Sequence, residues 1–276
     1  MSRPTRHPFH GAVYHVTARG NRRANMFVDA YDHSIWLRIF EETVDQFHLL
    51  VYGLCLMPNH FHLLVETPDA NLSAAMHYLN GKYAKKFNWR HSLSGHLLQD
   101  RFHAVHVDKQ EYLLELLRYI VLNPVRAELT HHADHWRWSS HRYHCRLAPC
   151  PAWLASDWVI DQFPGPTRAA RIHAYRKFVD AGHVRHVRTS GQIDEALAFA
   201  GDADIPMLAI IQSSHPHRDM AIRAAWQCGA YTREQIARHF ALSVRTVSRV
   251  INAEASAESV SRSQAPGHVS AAGRGR

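Results

Sequence analysis

Two histidines separated by one residue are the first feature of this sequence that is suited to chemistry. His60 and His62 flank Phe61 in an otherwise apolar stretch. In a β-strand, residues i and i+2 point to the same face of the sheet, so we expect the two imidazoles to project side by side. Two neutral imidazoles form half of a binding site for a divalent metal. The chain contains 24 histidines, so a purely structural role for this pair is the alternative.

A tyrosine and an asparagine form the second such feature. The periodic leucine, isoleucine and valine residues of segment 110–123 predict a helix, which Pro124 is expected to end. Tyr119 and Asn123 lie four residues apart, so they are neighbours at the edge of the buried stripe of this helix. A phenol beside an amide oxygen at that edge is suited to face the histidine strand. The alternative is a tyrosine that only borders the core.

Two further residues, a tyrosine and a glutamate, are of types that could act in the same site. Tyr83 is a second tyrosine on a predicted helix, but it falls on the apolar face of that helix, which favours a packing role. Glu66 has the same strand parity as His60 and His62, which would allow its carboxylate to hydrogen-bond a ligand histidine. A carboxylate at a solvated strand end is the simpler interpretation of Glu66.

Positive charge favours a polyanionic partner. The chain has 32 lysine and arginine residues against 24 aspartate and glutamate residues, which gives a net charge of +8 and a pI of about 9.5. Arg19, Arg22 and Arg23 surround a Gly20-Asn21 turn. Nucleic acid is the usual polyanionic partner of a basic chain of this size, although many ordinary enzymes are basic as well.

The elements expected in the first half of the chain follow the order β-α-β-β-α-β-α. This order predicts an α+β, ferredoxin-like fold, in which an antiparallel sheet carries helices on one face. Besides helix 110–123, the predicted strands and helices cover residues 13–17, 30–46, 48–57, 61–65, 71–88 and 104–107.

A pattern near the C-terminus predicts a pair of short helices. Thr232 and Gln235 have the spacing of a capping box, and Ser243 is suited to cap the second helix. The segment resembles a helix-turn-helix of the replication-initiator or resolvase type, with 244–252 as recognition helix. Ala241 stands where that turn usually has glycine, and a plain helical hairpin is the alternative. The outward-facing residues of the recognition helix are Arg245, Thr246 and Arg249.

Composition disfavours several classes of protein. The chain is 46% hydrophobic and 20% charged, which is compatible with a folded core. No apolar run approaches the ~18 residues of a membrane span, and the N-terminus lacks the apolar region of a secretory signal. The four cysteines include no Cys-x-x-Cys, which disfavours a zinc ribbon and a thioredoxin-type site. We therefore expect reduced thiols, a cytoplasmic location and no membrane partner.

Four ordered motifs resemble those of the REP-associated tyrosine transposases, relatives of the single-tyrosine HUH transposases of small insertion sequences. The resemblance covers about residues 8–145. The motifs are YHVTARGNRR at 14–23, MPNHFHLL at 57–64, LRYIVLNPVRA at 117–127 and WSS at 138–140.

This resemblance implies an HUH-endonuclease fold with the histidine pair on a central strand. It implies that His60, His62 and Asn123 bind Mg²⁺ or Mn²⁺, although some relatives have glutamine at the position of Asn123. It also implies that Tyr119 is the nucleophile and that the arginine loop contacts a DNA hairpin. The predicted DNA-binding residues of the whole chain are Arg19, Asn21, Arg22, Arg23, Lys82, Lys85, Lys86, Arg126, Arg245, Thr246 and Arg249.

The chain is expected to comprise four regions. They are an HUH transposase domain (8–145), a mostly helical connector (146–214), a helix-turn-helix module (215–253) and a disordered tail (254–276).

The function predicted from these features is that of a DNA transposase, a metal-dependent single-strand endonuclease and strand transferase at REP-like hairpins. We expect it to act as a monomer and to bind duplex DNA through the helix-turn-helix. A domesticated regulator that binds DNA without cutting it is the alternative from another class. A metallohydrolase of small phosphoesters would explain neither the arginine loop nor the second DNA-binding module.

Overall fold

Four strands form one antiparallel sheet. A computed structural model describes residues 9–107, 112–182, 208, 211–212, 215–227 and 233–252. The strands are β1 (Ala12–Arg19), β2 (Leu50–Met57), β3 (His60–Thr67) and β4 (His103–Val107), and their order across the sheet is β2-β3-β1-β4. β2 and β3 form a hairpin, and β1 pairs with both β3 and β4.

Three helices alternate with these strands in the predicted order. They are α1 (Ala30–Phe47), α2 (Leu72–His91) and α3 (Leu113–Arg126). The carboxylate of Asp29 caps α1, because it accepts hydrogen bonds from two backbone N–H groups of the first turn. The order of elements and the antiparallel sheet confirm the predicted α+β fold class.

Helices cover both faces of the sheet. On β3, Phe61 and Leu63 belong to the apolar cluster of α1 and α2, whereas Leu64 belongs to the cluster of α3. The prediction that the helices pack on one face therefore holds for α1 and α2 but is wrong for α3. The physical reason is that β1 and β3 bury consecutive residues, so both sheet faces need an apolar cover.

α3 continues through Pro124 and ends at Arg126, so the predicted helix end at Pro124 is wrong. A proline inside a helix leaves the carbonyl four residues earlier, here that of Ile120, without its N–H donor. The side-chain amide of Asn123 replaces this donor, because its Nδ2 donates to Ile120 O at 3.3 Å and to Tyr119 O at 3.1 Å. The extra residues bring Arg126 back to Tyr119, to whose carbonyl oxygen Nη1 donates at 3.0 Å.

The segment after α3 covers the outer edge of β2. The backbone N–H of Leu56 donates to Trp138 O at 2.9 Å, and that of Leu54 donates to the hydroxyl of Ser140 at 3.1 Å. An edge strand covered in this way is protected from pairing with another chain. The helices that follow are α4 (His141–His144), α5 (Ser156–Asp161) and α6 (168–182).

Packing continues past residue 145, the predicted end of the first domain. Tyr175 and Val179 of α6 are fully buried in the apolar cluster of α3, and Leu154 lies in the cluster of α1 and α2. Residues after 145 therefore contribute to the core around the sheet. The division of the chain into four regions stays a prediction.

In the described C-terminal part, the segments Arg218–Gln227, Arg233–His239 and 244–252 are helices. Ser243 caps the last of them as predicted, because its hydroxyl accepts the N–H of Thr246 at 3.1 Å. Ala241, in the turn before it, has a φ angle of 52°. This left-handed conformation explains why glycine is usual there.

Several predictions fall on other residues. The capping residue Thr232 and the tail 254–276 lie outside the described residues, as does Cys228. The other three cysteines are free thiols. None of the helices in the described ranges is both long and apolar enough to cross a membrane.

Candidate active site and nucleic-acid interface

The histidine pair lies on the face of the sheet that α3 covers. The side chain of Phe61, between the two histidines, is buried on the opposite face. The register of β1 and β3 sets Arg19 opposite His60 and Thr17 opposite His62. The ring centroids of His60 and His62 are 4.9 Å apart. Strand parity therefore brings the two imidazoles together as expected.

A third histidine, His15 of β1, adjoins this pair. His15 is buried, and its Nε2 lies 3.0 Å from Nδ1 of His62, at hydrogen-bond distance. Nε2 of His62 is also buried and has no hydrogen-bond partner among the described residues. A buried nitrogen without a partner costs free energy, and a bound divalent metal would satisfy it. His62 and its surroundings therefore fit a metal ligand.

Burial keeps these three imidazoles neutral, which is the form that binds metals. Burial lowers the pKa of His15 to about 3, and the neighbouring His103 acts in the same direction. Burial also lowers the pKa of His60 to about 4, with a further contribution from the guanidinium of Arg19. The pKa of His62 is lowered chiefly by its burial, then by its histidine and arginine neighbours.

Tyr119 reaches the histidines from α3. Its ring centroid lies 6.0 Å from that of His62, and the two rings are nearly perpendicular. Burial raises the pKa of Tyr119 to about 12, whereas the guanidinium of Arg126 and a hydrogen bond with the side chain of Asn123 oppose this rise. The structure thus brings the predicted nucleophile to the predicted metal ligands.

Asn123 lies beside Tyr119. Its Nδ2 donates to two carbonyls of its own helix, and the amide oxygen takes no part in those two bonds. No hydrogen bond in the described part of the chain joins Asn123 to His60 or His62. The role of the third predicted ligand therefore stays a prediction.

The predicted arginine loop follows β1 at the end of the sheet where His60 lies. Asn21–Arg23 form a 3₁₀ turn, and Arg22 and Arg23 are exposed, with φ angles of 54° and 60°. Neither arginine forms an ion pair with another described residue. Exposed guanidinium groups without an acidic partner are suited to contact phosphates.

Gly20 and Asn21 fix this loop to its neighbours. The N–H of Gly20 donates to Asn59 O and that of Asn21 donates to Leu97 O, both at 2.8 Å. A Cβ atom on Gly20 would lie 2.1 Å from the carbonyl oxygen of Ala24, so a larger residue would disrupt the turn. The predicted DNA-binding residue Asn21 therefore has a role in the loop backbone.

The predicted lysines of α2 lie apart from the histidines, because α2 covers the other sheet face. Lys82 forms an ion pair with Glu42 and donates to the hydroxyl of Tyr78 at 2.8 Å. Lys85 and Lys86 are exposed. The structure does not bring these three lysines to Tyr119, and their DNA contacts stay predictions.

The two alternative site residues are occupied elsewhere. Tyr83 is buried on the face opposite the histidines, and its hydroxyl donates to Met26 O at 2.5 Å. Burial raises the pKa of its phenol. Glu66, at the far end of β3, accepts a hydrogen bond from the hydroxyl of Tyr52 at 2.5 Å.

A second group of metal-ligand side chains lies after α3. One ligand atom each of Asp134, His141 and Cys145 lie within 4.8 Å of one another. Asp134 already forms an ion pair with Arg176 and accepts a hydrogen bond from His141 at 2.9 Å. Burial raises the pKa of the Cys145 thiol to about 12, so the neutral thiol predominates. This group is therefore satisfied by protein contacts, in contrast to Nε2 of His62.

Comparison with known proteins agrees with these features. Residues 9–123 match the model of the family described as "Transposase IS200 like". This range includes the histidine pair, Tyr119 and Asn123. A comparison with curated proteins found no match.

Two solved structures resemble this chain. A REP-associated tyrosine transposase bound to a REP hairpin has 21% sequence identity and a TM-score of 0.46, over 54% of this chain and 90% of that chain. A protein of Deinococcus radiodurans R1, provisionally described as a transposase, has 18% identity and a TM-score of 0.31, over 46% of this chain and 92% of that chain.

The family match agrees with the resemblance that the four sequence motifs indicated. Residues 9–123 of this chain are similar to the IS200-like transposase family.

Proposed function

We propose that this protein is a transposase that cleaves and rejoins single-stranded DNA at REP-like hairpins, with Tyr119 as nucleophile. The observation that carries the proposal is the convergence of Tyr119, His60 and His62 on one sheet face. The ring centroid of His62 lies 4.9 Å from that of His60 and 6.0 Å from that of Tyr119. This convergence lies within the segment that matches the transposase family. Tyr83 lies on the other sheet face, and none of the described residues forms a histidine pair beside it.

The proposed step is a phosphoryl transfer from the 3′ oxygen of the DNA to the hydroxyl oxygen of Tyr119. The Tyr119 hydroxyl oxygen forms a bond to the phosphorus, and the bond from phosphorus to the 3′ oxygen of the preceding nucleotide breaks. The phenol proton leaves to solvent, and the departing 3′ oxygen takes up a proton to become a hydroxyl. The product is a 5′-phosphotyrosine, which conserves the bond energy so that a second 3′ hydroxyl can reverse the step.

His60, His62 and Asn123 are the residues that we propose to hold Mg²⁺ or Mn²⁺. Such an ion would make the scissile phosphorus more electrophilic and stabilise the charge that develops on it. The buried Nε2 of His62 supports this assignment, because it has no partner among the described residues. His15 supports it as well, because its contact with Nδ1 of His62 leaves Nε2 as the nitrogen available to a ligand.

The proposed partners are hairpin DNA at the arginine loop and duplex DNA at the helix-turn-helix. Arg22 and Arg23 are exposed beside the histidine end of the sheet, and Arg245 and Arg249 are exposed on helix 244–252. Buried Val247 and Val250 orient that helix so that its arginines face outward. We propose that the protein acts as a monomer in the cytoplasm.

The decisive experiment compares the protein with its Tyr119→Phe variant on a REP-like hairpin with a single-stranded flank. The wild-type protein with Mg²⁺ should give a protein–DNA adduct on a denaturing gel and a free 3′ hydroxyl. The Phe variant should fold and bind the hairpin but form no adduct, because it lacks only the attacking oxygen. Tyr83→Phe is the matched control and should retain the adduct. Hairpin binding by the wild-type protein without any cleavage would instead support a DNA-binding regulator.

A further inference from the structure

The guanidinium of Arg126 occupies an unusual position beside the proposed nucleophile. Its central carbon lies 4.6 Å from the centroid of the Tyr119 ring, and Nη1 donates to the backbone oxygen of Tyr119 at 3.0 Å. The side chain is half-buried. Arg126 also acts electrostatically on His62, so its charge is close to the histidine pair as well.

No acidic residue in the described part of the chain pairs with this guanidinium. Among the described residues, the titratable neighbours of Arg126 are the neutral phenol of Tyr119 and the cationic Arg118. Arg118, by contrast, has an ion pair with Glu115. Removing a guanidinium from water without an anionic partner costs free energy, and proteins rarely keep such an arrangement without a use for it.

The remaining N–H donors of this guanidinium are suited to an anionic ligand. An arginine carries five N–H donors in a planar fork, and the bond to the Tyr119 carbonyl uses one nitrogen of that fork. The fork matches the oxygen atoms of a phosphate better than an ammonium group does. An anion bound there would also lie beside the phenol of Tyr119 and the face that carries His62.

We propose that Arg126 is a catalytic residue that binds a non-bridging oxygen of the scissile phosphate. This assignment rests on the proposed function and specifies which protein group contacts the reacting phosphorus. The guanidinium holds the phosphate against the Tyr119 oxygen and stabilises the negative charge that grows on the phosphate oxygens during attack. No proton is transferred to or from Arg126 in this step.

A purely structural role makes a different prediction. The bond from Nη1 to the Tyr119 carbonyl helps to complete the last turn of α3, which would explain Arg126 without any DNA. In that case its removal would lower stability and misplace Tyr119, but the loss of rate would not depend on the charge of the scissile phosphate. A substrate with a neutral phosphate analogue therefore separates the two roles.

The test measures adduct formation on two hairpins, one with the normal scissile phosphate and one with a methylphosphonate, in which a methyl group replaces one charged oxygen. The quantity compared is the rate on the normal hairpin divided by the rate on the methylphosphonate hairpin, and the wild-type protein gives its reference value. Arg126→Ala should slow the reaction on the normal hairpin by about 100- to 1000-fold, the range for removal of one transition-state donor. The rate ratio of Arg126→Ala should be at least about tenfold smaller than that of the wild-type protein. The variant already lacks the interaction between the guanidinium and the charged oxygen, so removing that oxygen slows it less.

Arg118→Ala is the matched control on the same helix. Its guanidinium packs 4.4 Å from the Phe178 ring and forms an ion pair with Glu115, so the wild-type ratio should be retained. Arg126→Lys keeps the charge without the fork and should give an intermediate rate and an intermediate ratio. This variant also replaces Arg126→Ala if the latter fails to fold.

The outcomes distinguish this proposal from the proposed function. A wild-type protein that forms no adduct on the normal hairpin would overturn the proposed function itself. If the wild-type protein forms the adduct but the Arg126 variants keep the wild-type ratio, only the contact with the scissile phosphate is overturned. A smaller ratio for Arg118→Ala as well would mean that the helix as a whole, rather than the Arg126 guanidinium, determines the response.

Discussion

At the scale of single residues, His15 determines how His62 presents its ring. The contact of 3.0 Å between Nε2 of His15 and Nδ1 of His62 fixes the orientation of the His62 ring. Loss of such a supporting partner typically lowers metal affinity by about 10- to 100-fold. We therefore expect His15→Phe, which keeps a ring of similar size, to weaken Mn²⁺ binding by that factor. Titration calorimetry with Mn²⁺ measures the change.

A histidine on the other side of the same sheet is the control for His15. His106 of β4 contacts the rings of Phe9 and Tyr14 rather than the histidine pair. His106→Phe should therefore leave the affinity for Mn²⁺ unchanged. An unchanged affinity in His15→Phe would show that the orientation of His62 does not depend on His15.

The sequence predicted only part of this site, for reasons that are physical. The pairing of His60 with His62 follows from strand parity within one segment, so a local pattern was sufficient. His15 belongs to another strand, and its contact with His62 depends on the register that sets Thr17 opposite His62. The ring contact of Arg126 with Tyr119 requires α3 to pass Pro124, which the rule for proline did not predict.

At the scale of elements, Gly53 sets the distance between β2 and α3. A Cβ atom at this position would lie 2.3 Å from Cδ1 of the buried Leu117. Gly53→Ala should therefore displace either Leu117 or α3 and lower the free energy of unfolding by about 1–3 kcal/mol, the range for overpacked cores. Adduct formation by Tyr119, two residues further along α3, should slow as well. Urea denaturation and the adduct assay measure the two effects.

Two comparisons control the Gly53 experiment. Gly81 lies in α2, and a Cβ atom added to it would meet no neighbouring side chain within 4 Å, so Gly81→Ala should increase stability by about 0.5–1 kcal/mol. In a Leu117→Ala background, Gly53→Ala should cost less, because the clashing methyl group is gone. An equal cost in both backgrounds would contradict the contact with Leu117 as the cause.

His144 makes the covering of the β2 edge sensitive to acid. Its Nδ1 lies 3.1 Å from the hydroxyl of Ser156 and its Nε2 lies 3.1 Å from Tyr52 O, and burial lowers its pKa to about 3. The unfolded chain, with a histidine pKa of about 6.5, binds this proton first as the pH falls. The contribution of His144 to stability is therefore complete above pH ~6.5 and decreases by about 1.4 kcal/mol per pH unit towards pH ~3.

A variant that cannot titrate tests this dependence. His144→Gln keeps a donor and an acceptor near the same partners but cannot bind a proton. Between pH ~6 and ~4 the slope of its free energy of unfolding against pH should therefore be smaller by about 1.4 kcal/mol per pH unit, the value for one proton. Urea denaturation at several pH values measures the slope. His131→Gln, at an exposed position, should leave the slope unchanged. An identical slope for His144→Gln and the wild-type protein would contradict the proposed titration.

Element order was predictable because each strand and helix carries its own periodicity. The placement of α3 on the second sheet face was not, because it depends on how the apolar residues of β1 and β3 are divided between two covers. The same holds for the segment around Trp138 and Ser140. Its residues are recognisable as a motif, but only the fold shows that their backbone and hydroxyl groups bind the edge of β2.

At the scale of the whole molecule, the C-terminal helices share an apolar cluster with α3. Ile222, Ile236 and Val247 are fully buried in that cluster. The hydroxyl of Tyr112, at the start of α3, lies 3.1 Å from Nε2 of His215. Deleting residues 215–276 would therefore uncover buried apolar side chains as well as remove the proposed recognition helix. Surface substitutions test DNA binding by this module without that complication.

Two pairs of exposed arginines are expected to divide DNA recognition between them. Arg245→Ala with Arg249→Ala should weaken binding to a hairpin that carries a duplex flank, and the salt slope should decrease by about 0.9 for each lost phosphate contact. Binding and cleavage of the bare hairpin should be unchanged, because Tyr119 and the arginine loop are intact.

Arg22→Ala with Arg23→Ala should weaken binding to both DNAs by the same factor. Fluorescence anisotropy at several salt concentrations measures both variants, and Arg38→Ala, exposed on α1, is the control for loss of charge alone. If the first pair weakens binding to the bare hairpin as much as to the flanked one, the C-terminal helices contact the hairpin itself, and the assignment of the duplex to them is wrong.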